Sequence, residues 1–269
     1  MDANTAEEYD RRGYLVFDPG IDMETIDAAN EALRDLYLPE GSGIESYGEI
    51  PYRNDRRIQD AWKAVPAVKA IATAPRVLAL LGEIYGRAPK PFQTLNFKLG
   101  TEQLPHSDTI HFNSSPSGYM CGVWVALEDI DRDNGPLVYY PGSHKWSEIT
   151  MTEVDAFGSP QSALQRFAAR VRRHFKGPER KHEVDYPRYE AVVQSKLAAA
   201  GIEPAYATIR KGQAFLWASN LVHGGSPRND RMRTRLSQVT HYFFEGCRYY
   251  TPLMERGWRT QWREPTWIA

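Results

Sequence analysis

The pattern of apolar and polar positions divides the chain into a helical first third and a β-rich remainder. Four segments favour helix, and in the second of them Ile26, Ala29, Leu33 and Leu36 recur at helical spacing. The predicted helices are 5–12, 22–37, 57–64 and 67–85. Asp22 is placed to cap the second helix, and Pro75 is expected to break the fourth into two pieces. A short apolar run at 14–17 predicts one strand among these helices.

From residue 91 onwards the chain favours strands. The predicted strands are 91–98, 106–112, 119–127, 136–140, 205–210, 213–217 and 235–244. The Asn134-Gly135 pair predicts a hairpin turn between two of them. Helices followed by a run of short strands predict a mainly β fold with flanking helices. We expect a cupin-like jelly roll, also called a double-stranded β-helix.

Residues 147–204 interrupt the β pattern with two predicted helices, 162–175 and 187–200. We interpret the chain as a single domain, 1–269, with a largely helical insertion at about 147–204. Basic residues outnumber acidic ones between 166 and 188. This segment is either a lid that attracts an anionic substrate or a solvated helix face. No glycine-rich phosphate loop supports the first interpretation.

Composition narrows the possible functions. The 269 residues carry a formal charge of -1, which gives no reason to expect nucleic acid or an anionic membrane as partner. Two cysteines argue against a disulfide framework and favour a cytoplasmic location. We expect no signal peptide, because the first residues are acidic, and no membrane span, because apolar runs are short. The oligomeric state, monomer or homodimer, is left open.

The candidate chemistry begins at His106-Ser107-Asp108. In an extended segment the imidazole and the carboxylate lie on one face, because strand side chains alternate. His-x-Asp alone is common by chance, so a third ligand is needed, and His223 is the candidate. The separation of 117 residues is too long for a local zinc knuckle and suits ligands from different strands. Two histidines and one carboxylate form the facial triad of non-heme Fe(II) oxygenases.

Arg235 follows His223 by 12 residues at the start of a predicted strand. An oxygenase of this kind uses an oxidisable acid, and a dicarboxylate such as 2-oxoglutarate needs a fixed cation for its far carboxylate. Arginine binds a carboxylate through two parallel hydrogen bonds. The alternative is a surface arginine in a loop that also contains Arg228, Arg231 and Arg233. The spacing alone leaves both interpretations open.

A series of short motifs resembles the phytanoyl-CoA dioxygenase family of Fe(II)/2-oxoglutarate oxygenases. The most specific block is Asn134-Gly135-Pro136-Leu137 followed by Pro141-Gly142-Ser143-His144. The order and spacing of the motifs carry the resemblance, which extends over most of the chain. The other members of the series are Glu8-Tyr9 to Gly13-Tyr14, Leu104 to Asp108, Val123 to Asp129, Lys211-Gly212, His223-Gly224-Gly225, Arg235 and Tyr242.

The resemblance implies iron ligation by His106, Asp108 and His223, and a clamp on 2-oxoglutarate at Arg235. It implies that further residues line the cosubstrate pocket, namely Trp124, Thr94, Asn96 and Ser237. The implied cofactors are Fe(II), the cosubstrate 2-oxoglutarate and O2. The implied reaction is oxidation of an unactivated C–H bond of a small molecule, in the first place hydroxylation in secondary metabolism. Succinate and CO2 would be released.

Two positions refine this expectation. Related halogenases have glycine or alanine where Asp108 stands, so the carboxylate favours oxidation without halogenation. Members of the family often have serine two residues after the second histidine, whereas this chain has Gly225. A hydrogen bond to the cosubstrate is therefore either missing or supplied by Ser226.

The residues after the metal pair are expected to face the substrate, and they are Thr109, His111, Phe112 and Asn113. His111 has an alternative as a hydrogen-bonded core histidine. Two rival functions use the same scaffold: a catalytically inactive cupin-like binding protein, and a metal-dependent hydrolase with the same three ligands. The complete set of triad and Arg235 favours the oxygenase, because neither rival needs all four residues.

Overall fold

Two antiparallel sheets face each other and helices cover the outer side of the larger one. The computed structural model describes residues 4–157, 164, 167, 168, 171, 175, 184–255 and 260–269. The α-helices are α1 (Asn4–Arg12), α2 (Met23–Arg34), α3 (Pro66–Ala72), α4 (Pro75–Tyr85), α5 (Met151–Ala156) and α6 (Tyr186–Ala200). The strands are β1 (Tyr14–Phe17), β2 (Tyr52–Arg53), β3 (Arg57–Gln59), β4 (Pro89–Phe97), β5 (Asn113–Ser115), β6 (Met120–Ala126), β7 (Leu137–Tyr139), β8 (Ala205–Ala207), β9 (Ala214–Ala218), β10 (His223–Gly225), β11 (Ser237–Phe244), β12 (Arg248–Tyr250) and β13 (Trp262–Arg263).

The larger sheet has the strand order β1-β9-β6-β11-β4-β3-β2, and the smaller one facing it has the order β10-β7-β8. A third sheet, β13-β12-β5, lies at the rim. One apolar cluster fills the space between the two main sheets, and its members include Trp124, Phe215, Trp217, Leu137 and Tyr139. The strands of both sheets pair antiparallel around this core, so the predicted jelly roll is confirmed.

The other face of the larger sheet packs against helices, because strand residues of the opposite parity are also apolar. Val123 and Leu216 from the sheet join Ile26 of α2 and Val68 of α3 in a second cluster. Asp22 caps α2 as predicted, since its side chain accepts a hydrogen bond from the amide of Thr25 at 2.6 Å. The predicted break is also confirmed, because α4 begins at Pro75.

The predicted helix at 57–64 is wrong. Residues 57–59 form β3, which pairs with β4 at the sheet edge, and only the single 3-10 turn Ala61–Lys63 follows. Between them Asp60 adopts a left-handed conformation with φ 55°. The hydrogen bonds offered by the edge of β4 outweigh a local preference for helix.

The hairpin predicted at Asn134-Gly135 is also wrong, because β6 and β7 belong to different sheets. The turn instead carries the chain from the larger sheet to the smaller one. Gly135 supplies the positive φ of 77°. The buried Asn134 amide donates to the carbonyls of Asp129 and Thr234, which fixes the crossing.

The region predicted as an insertion contributes two described helices. The prediction of a helix at 187–200 is confirmed by α6, while α5 was not expected. The predicted helix 162–175 and the basic segment 166–188 lie largely outside the described residues. Within the described ranges, no helix has both the length and the apolar character to cross a bilayer.

The C-terminal tail returns to the body of the fold. The amide of Ile268 donates to the carbonyl of Pro91 at 2.9 Å, beside the first residues of β4. The Trp267 ring lies 5.5 Å from the Tyr249 ring and 3.9 Å from the ammonium of Lys90. Trp262 pairs with Tyr250 at the rim, and Trp258 lies outside the described residues.

Candidate metal centre

Backbone pairing brings the two distant histidines together. The amide of His106 donates to the carbonyl of His223 at 2.8 Å, and the reverse bond is also 2.8 Å. Asp108 joins them, and its carboxylate and the two imidazoles offer ligand atoms that all lie within 4.8 Å of one another. All three residues are buried. The structure thus brings together the three residues proposed from sequence.

The predicted strand 106–112 is wrong, but the side chains of His106 and Asp108 still lie on one face. A 3-10 turn begins at Asp108 and runs to Ile110. Ser107 remains extended, with φ -110° and ψ 148°, so the side chains on either side of it still reach the same face. The turn then leads the chain away from the barrel into β5.

Both histidines present the same nitrogen to the centre. Nδ1 of His106 is 2.9 Å from the carbonyl oxygen of Leu104, and Nδ1 of His223 is 2.9 Å from that of Leu221. A carbonyl oxygen only accepts hydrogen bonds, so each Nδ1 carries the proton. Each Nε2 keeps its lone pair for a metal ion, and the hydrogen bond fixes the orientation of the ring.

Trp217 holds the carboxylate of Asp108. Its indole Nε1 donates to Asp108 Oδ2 at 2.7 Å, and both side chains are buried. Oδ1 of Asp108 points towards Nε2 of His223 at 3.8 Å. With Oδ2 occupied by the indole, Oδ1 is the oxygen available to a metal ion.

The electrostatics of the three ligands suit a divalent cation. Burial, followed by the neighbouring His223, lowers the pKa of His106 to about 3, so the ring is neutral at pH 7. Burial acts to raise the pKa of Asp108, but His223, His241, His106 and the Trp217 hydrogen bond together lower it. Neutral imidazoles and an ionised carboxylate are the protonation states that bind metal.

Sequence reasoning missed a fourth titratable residue at the centre. His241 on β11 places Nε2 3.8 Å from Asp108 Oδ2, and its Nδ1 is 3.0 Å from Oε1 of Gln93. Burial lowers the pKa of His241. A signal was available, because Arg235, Val239 and His241 are separated by even numbers of residues and therefore share one strand face.

The metal-binding segment is also fixed by α6. The Tyr189 hydroxyl accepts a hydrogen bond from the amide of Ser107 at 2.9 Å and lies 2.9 Å from its Oγ. Tyr189 is fully buried. Next to it, the Tyr186 hydroxyl accepts a hydrogen bond from the side-chain Nε2 of Gln103 at 3.3 Å. The same Nε2 lies 3.5 Å from Nε2 of His106. No local motif predicts these contacts, because they join residues about 80 positions apart.

A cavity adjoins the triad and ends at Arg235. This residue lies two positions before β11 rather than at the start of the strand, but its amide still donates to Lys98 on the neighbouring segment. The side chain is 4% exposed and its guanidinium carbon lies 5.3 Å from the ring of Trp124 and 5.4 Å from that of Phe97. Arg235 is therefore a buried cation that faces the metal cavity.

Arg235 forms no ion pair among the described residues, although Glu128 is near enough to act on its charge. Its Nε–H donates to no acceptor in the described part of the chain, and none of the ion pairs described there includes Arg235. Burial lowers its pKa to about 10, which leaves it charged at pH 7. The loop arginines differ, since Arg231 pairs with Glu102 and Arg233 with Asp131 at the surface. The interpretation of Arg235 as one more surface arginine is wrong.

The remaining residues predicted to line the cosubstrate pocket lie on two different sides of their strands. Trp124 lines the cavity, and its indole Nε1 has no hydrogen-bond partner among the described residues. Ser237 is buried and lies on the same face of β11 as the cavity residue Val239. The structure places Thr94 and Asn96 on the opposite face of β4, where Asn96 donates to Gln238.

The residues of β4 that line the cavity are Leu95 and Phe97. They differ from the predicted pair, Thr94 and Asn96, by one position along the strand. Because successive strand residues point to opposite sides, this offset places the predicted pair towards the helices instead. Thr94 and Asn96 therefore lie away from the cavity that the other predicted residues share.

The structure accounts for Gly224 and Gly225 after the second ligand. A Cβ on Gly224 would lie 2.7 Å from the carbonyl oxygen of Gln103, and one on Gly225 would lie 2.4 Å from Thr101 Oγ1. The Thr101 side chain lines the cavity at the place where a serine at 225 would project. Ser226 does not supply the missing hydroxyl, because its Oγ donates to the carbonyl of Pro136 at 2.7 Å.

The four residues predicted to face the substrate have different surroundings. Thr109 is buried and its hydroxyl is 2.8 Å from that of Ser107. Asn113 is buried and donates to Glu148 at 2.6 Å. The His111 ring lies 5.0 Å from that of Tyr186, and Phe112 lines a separate cavity. Their role towards a substrate stays a prediction.

A jelly roll that gathers two histidines and one carboxylate around a cavity defines the class of non-heme metal proteins with a facial triad. The comparison with known families is specific within this class. The sequence model of the family described as phytanoyl-CoA dioxygenase (PhyH) matches residues 9–235. The chain belongs to the phytanoyl-CoA dioxygenase family, as the motif series indicated.

Curated relatives match over limited lengths. The mouse phytanoyl-CoA dioxygenase domain-containing protein 1 is 35% identical over 83 residues, which are 29% of this chain and 28% of the mouse protein. The rat peroxisomal phytanoyl-CoA dioxygenase is 25% identical over 182 residues, which are 66% of this chain and 42% of the rat protein. The matched region thus spans less than half of each relative.

Solved structures share the fold. EctD from S. alaskensis, crystallised with 2-oxoglutarate and 5-hydroxyectoine, has a TM-score of 0.65 and 19% identity, covering 96% of this chain and 82% of that one. The epimerase SnoN, in complex with Fe3+, alpha ketoglutarate and nogalamycin RO, has a TM-score of 0.60 and 20% identity, covering 91% and 84%. Identities this low establish the shared fold alone.

Proposed function

We propose that the chain is an Fe(II)- and 2-oxoglutarate-dependent dioxygenase that hydroxylates an unactivated C–H bond of a small molecule. Succinate and CO2 are the other products. The observation that carries the proposal is the buried guanidinium of Arg235 at the end of the cavity that contains the triad. Among the described residues it forms no ion pair and its Nε has no hydrogen-bond partner. A buried charge without a partner costs stability, and a carboxylate bound during function would offset that cost.

The residues at the site fit both iron and 2-oxoglutarate. His106 and His223 each offer Nε2, and Asp108 offers Oδ1, which is a complete facial set for iron. Arg235, together with the rings of Trp124 and Phe97, offers a cationic and apolar site for the far carboxylate of 2-oxoglutarate. When bound, iron and 2-oxoglutarate supply the activation of O2 and the electrons for it.

The chain's own contribution is positioning and exclusion of water. The carbonyls of Leu104 and Leu221 orient the two imidazoles, and Trp217 orients the carboxylate. Tyr189 fixes the segment between His106 and Asp108. All three ligands are buried, so the reacting groups are held in one geometry away from bulk solvent.

Hydroxylation is favoured over other oxidations by one fold relative, since EctD is described with a hydroxylated compound, 5-hydroxyectoine. SnoN, described as an epimerase, shows that the fold also serves a different outcome. Both are described with bound small molecules, and SnoN is described as coming from nogalamycin biosynthesis. A small-molecule substrate in secondary metabolism is therefore part of the proposal.

The test is succinate release from 2-oxoglutarate with Fe(II) and O2, measured for the wild type, Arg235→Met and Arg231→Met. Arg231 is the matched control, because it is an arginine of the same loop that pairs with Glu102 at the surface. We expect succinate from the wild type and from Arg231→Met, and loss of at least 90% in Arg235→Met.

A substrate is then sought by screening small molecules for a mass increase of one oxygen atom. Succinate release that is equal in all three proteins would contradict the role of Arg235. No succinate from the wild type, with hydrolysis supported by Zn2+, would favour the hydrolase, and absence of both activities would favour the inactive binding protein.

A further inference from the structure

A second cavity, of about 250 Å³, lies beside the metal centre and is not used by the groups described so far. Five of its twelve described lining residues are aromatic, and the others are polar, charged or proline. The aromatic lining residues are Phe92, Phe112, Phe243, Tyr249 and Tyr250. Three of these rings are stacked, with centroid distances of 4.1 Å between Phe243 and Tyr249 and 4.3 Å between Phe92 and Phe243. Phe112 meets Phe92 edge-on at 5.3 Å. We call this space the aromatic cavity.

The aromatic cavity adjoins the metal centre through one layer of side chains. Phe112 lines the cavity, and its ring lies 5.1 Å from that of His241, which lines the metal cavity. Gln93 also lines the aromatic cavity and bonds His241 at 3.0 Å. His241 in turn lies 3.8 Å from the carboxylate of Asp108.

The order along β11 places the aromatic cavity on the side of the metal centre opposite to Arg235. Arg235 precedes the strand, His241 lies at the level of Asp108, and Phe243 lines the aromatic cavity. With a rise of about 3.3 Å per strand residue, His241 and Phe243 are about 7 Å apart along the strand. The cavity-facing side of β11 therefore passes in order from Arg235 to the metal centre and then to the aromatic cavity.

Asp60 is the half-buried charged residue of the cavity lining. Its Oδ1 accepts a hydrogen bond from the amide of Thr94 at 3.0 Å. None of the ion pairs among the described residues includes it. Burial raises its pKa, and the Thr94 amide, Trp62, Lys63 and Gln59 partly offset that effect. Asp60 is also one of two non-glycine residues described with a positive φ. Strain of this kind is often retained where a residue contacts a ligand.

Two other charged residues line the cavity near its opening. Arg263 is exposed and donates to the hydroxyl of Thr251 at 2.6 Å, and Glu264 is exposed as well. With Asp60 they give the lining two carboxylates and one guanidinium. Aromatic faces attract organic cations, and a half-buried carboxylate adds to that attraction. The chemistry of the lining is that of a site for an ammonium group on an apolar body.

We infer that the aromatic cavity binds the substrate and that this substrate is an organic amine whose ammonium group is held by Asp60 and the surrounding rings. The inference rests on the proposed function, because it places the amine beside the metal that would oxidise it. A molecule anchored there approaches the triad from the side opposite to the cosubstrate. Phe112 and His241 lie between the anchored ammonium group and the triad, so the reacting carbon reaches the metal past these two side chains.

The test uses benzylamine, which is protonated at pH 7, and benzyl alcohol as its neutral counterpart. Binding of each probe to the metal-free protein is measured by saturation-transfer NMR and titration. We expect benzylamine to bind at least tenfold more tightly than benzyl alcohol. We expect Asp60→Asn to abolish that preference. Asparagine keeps the acceptor for the Thr94 amide and tolerates the left-handed backbone, so this variant is expected to fold.

Two further variants complete the binding test. Tyr250→Leu removes a ring of the cavity and is expected to weaken benzylamine binding, whereas Glu31→Gln, on an exposed helix position, is expected to change nothing. With Mn2+ bound at the triad, bound benzylamine is expected to show strong paramagnetic broadening. His223→Ala should remove the broadening and leave binding intact, because His223 does not line this cavity.

Equal binding of amine and alcohol, unchanged binding in Asp60→Asn, or binding without broadening would each overturn the inference. These measurements need no turnover, so they separate the two proposals. Amine binding that fails while the wild type still releases succinate refutes the aromatic cavity alone. Amine binding that succeeds in a protein that never consumes 2-oxoglutarate refutes the proposed function alone.

Discussion

Trp217→Phe isolates one hydrogen bond at the metal centre. The change removes the indole N–H that donates to Asp108 Oδ2 at 2.7 Å and keeps an aromatic ring beside His223, where the centroids are 4.9 Å apart. Within the described part of the chain, this is the one hydrogen bond that the side chain of Asp108 accepts. Without it, the carboxylate is free to rotate and its buried Oδ2 lacks a donor.

The magnitude follows from two independent rules. A hydrogen bond to a charged group contributes about 1.5–3 kcal/mol. Loss of a hydrogen-bond partner of a metal ligand lowers metal affinity about 10- to 100-fold, which corresponds to about 1.4–2.8 kcal/mol. Trp217 is 1% exposed and Asp108 is 4% exposed, so water cannot readily replace the indole. We therefore expect a loss of affinity for Fe(II) within this range.

The assay is anaerobic calorimetric titration of Fe(II) without 2-oxoglutarate. Trp124→Phe is the matched control, because Trp124 is also 1% exposed and its Nε1 has no partner among the described residues. The same chemical change then removes no hydrogen bond, and iron affinity should stay within about twofold. Equal losses in the two variants, or no loss in Trp217→Phe, would refute the role given to the indole.

Three further predictions concern residues around the same centre. Arg235→Met should stabilise the metal-free protein by on the order of 1–3 kcal/mol, since it removes a buried charge that forms no ion pair with any described residue. It should also abolish 2-oxoglutarate binding; urea unfolding and calorimetry check the two effects. Gly225→Ser should destabilise the protein by about 1–3 kcal/mol, because its Cβ would lie 2.4 Å from Thr101 Oγ1, and Thr101→Gly should restore part of that loss. Burial lowers the pKa of His106 from its ordinary 6.5 to about 3, so the neutral ring is favoured in the folded state. Stability without metal should therefore fall as pH decreases from about 6.5 towards about 3, with a shallower fall in His106→Gln, as urea midpoints at each pH would show.

The metal ligands could be predicted because their residue types and their order along the chain carry the information. The partners that orient them could not. Trp217 bonds a residue 109 positions away, and Tyr189 bonds one 82 positions away. Nothing in the local pattern at either residue distinguishes it from an ordinary core aromatic. Such contacts are set by how the sheets pack and not by sequence spacing.

The errors in the fold have a similar origin. The predicted strand 91–98 matches β4 within two residues. The prediction did not identify which face of this strand lines the cavity, and Thr94 and Asn96 were assigned to the wrong side. An alternating pattern identifies the two faces of a strand without stating which one is inside, especially when both are buried. At Asn134-Gly135 the local turn preference is satisfied, yet the flanking strands pair with other partners. Pairing is a property of the whole sheet.

The central claim is that His106, Asp108 and His223 converge on one metal ion with Arg235 at the far end of the cavity. The most direct measurement is a crystal structure of the chain grown anaerobically with Fe(II) and 2-oxoglutarate, with anomalous maps at the iron edge. The account predicts one anomalous peak bonded to both Nε2 atoms and to an oxygen of Asp108, with a carboxylate of the bound acid on Arg235. A peak elsewhere, or 2-oxoglutarate bound away from Arg235, would contradict it.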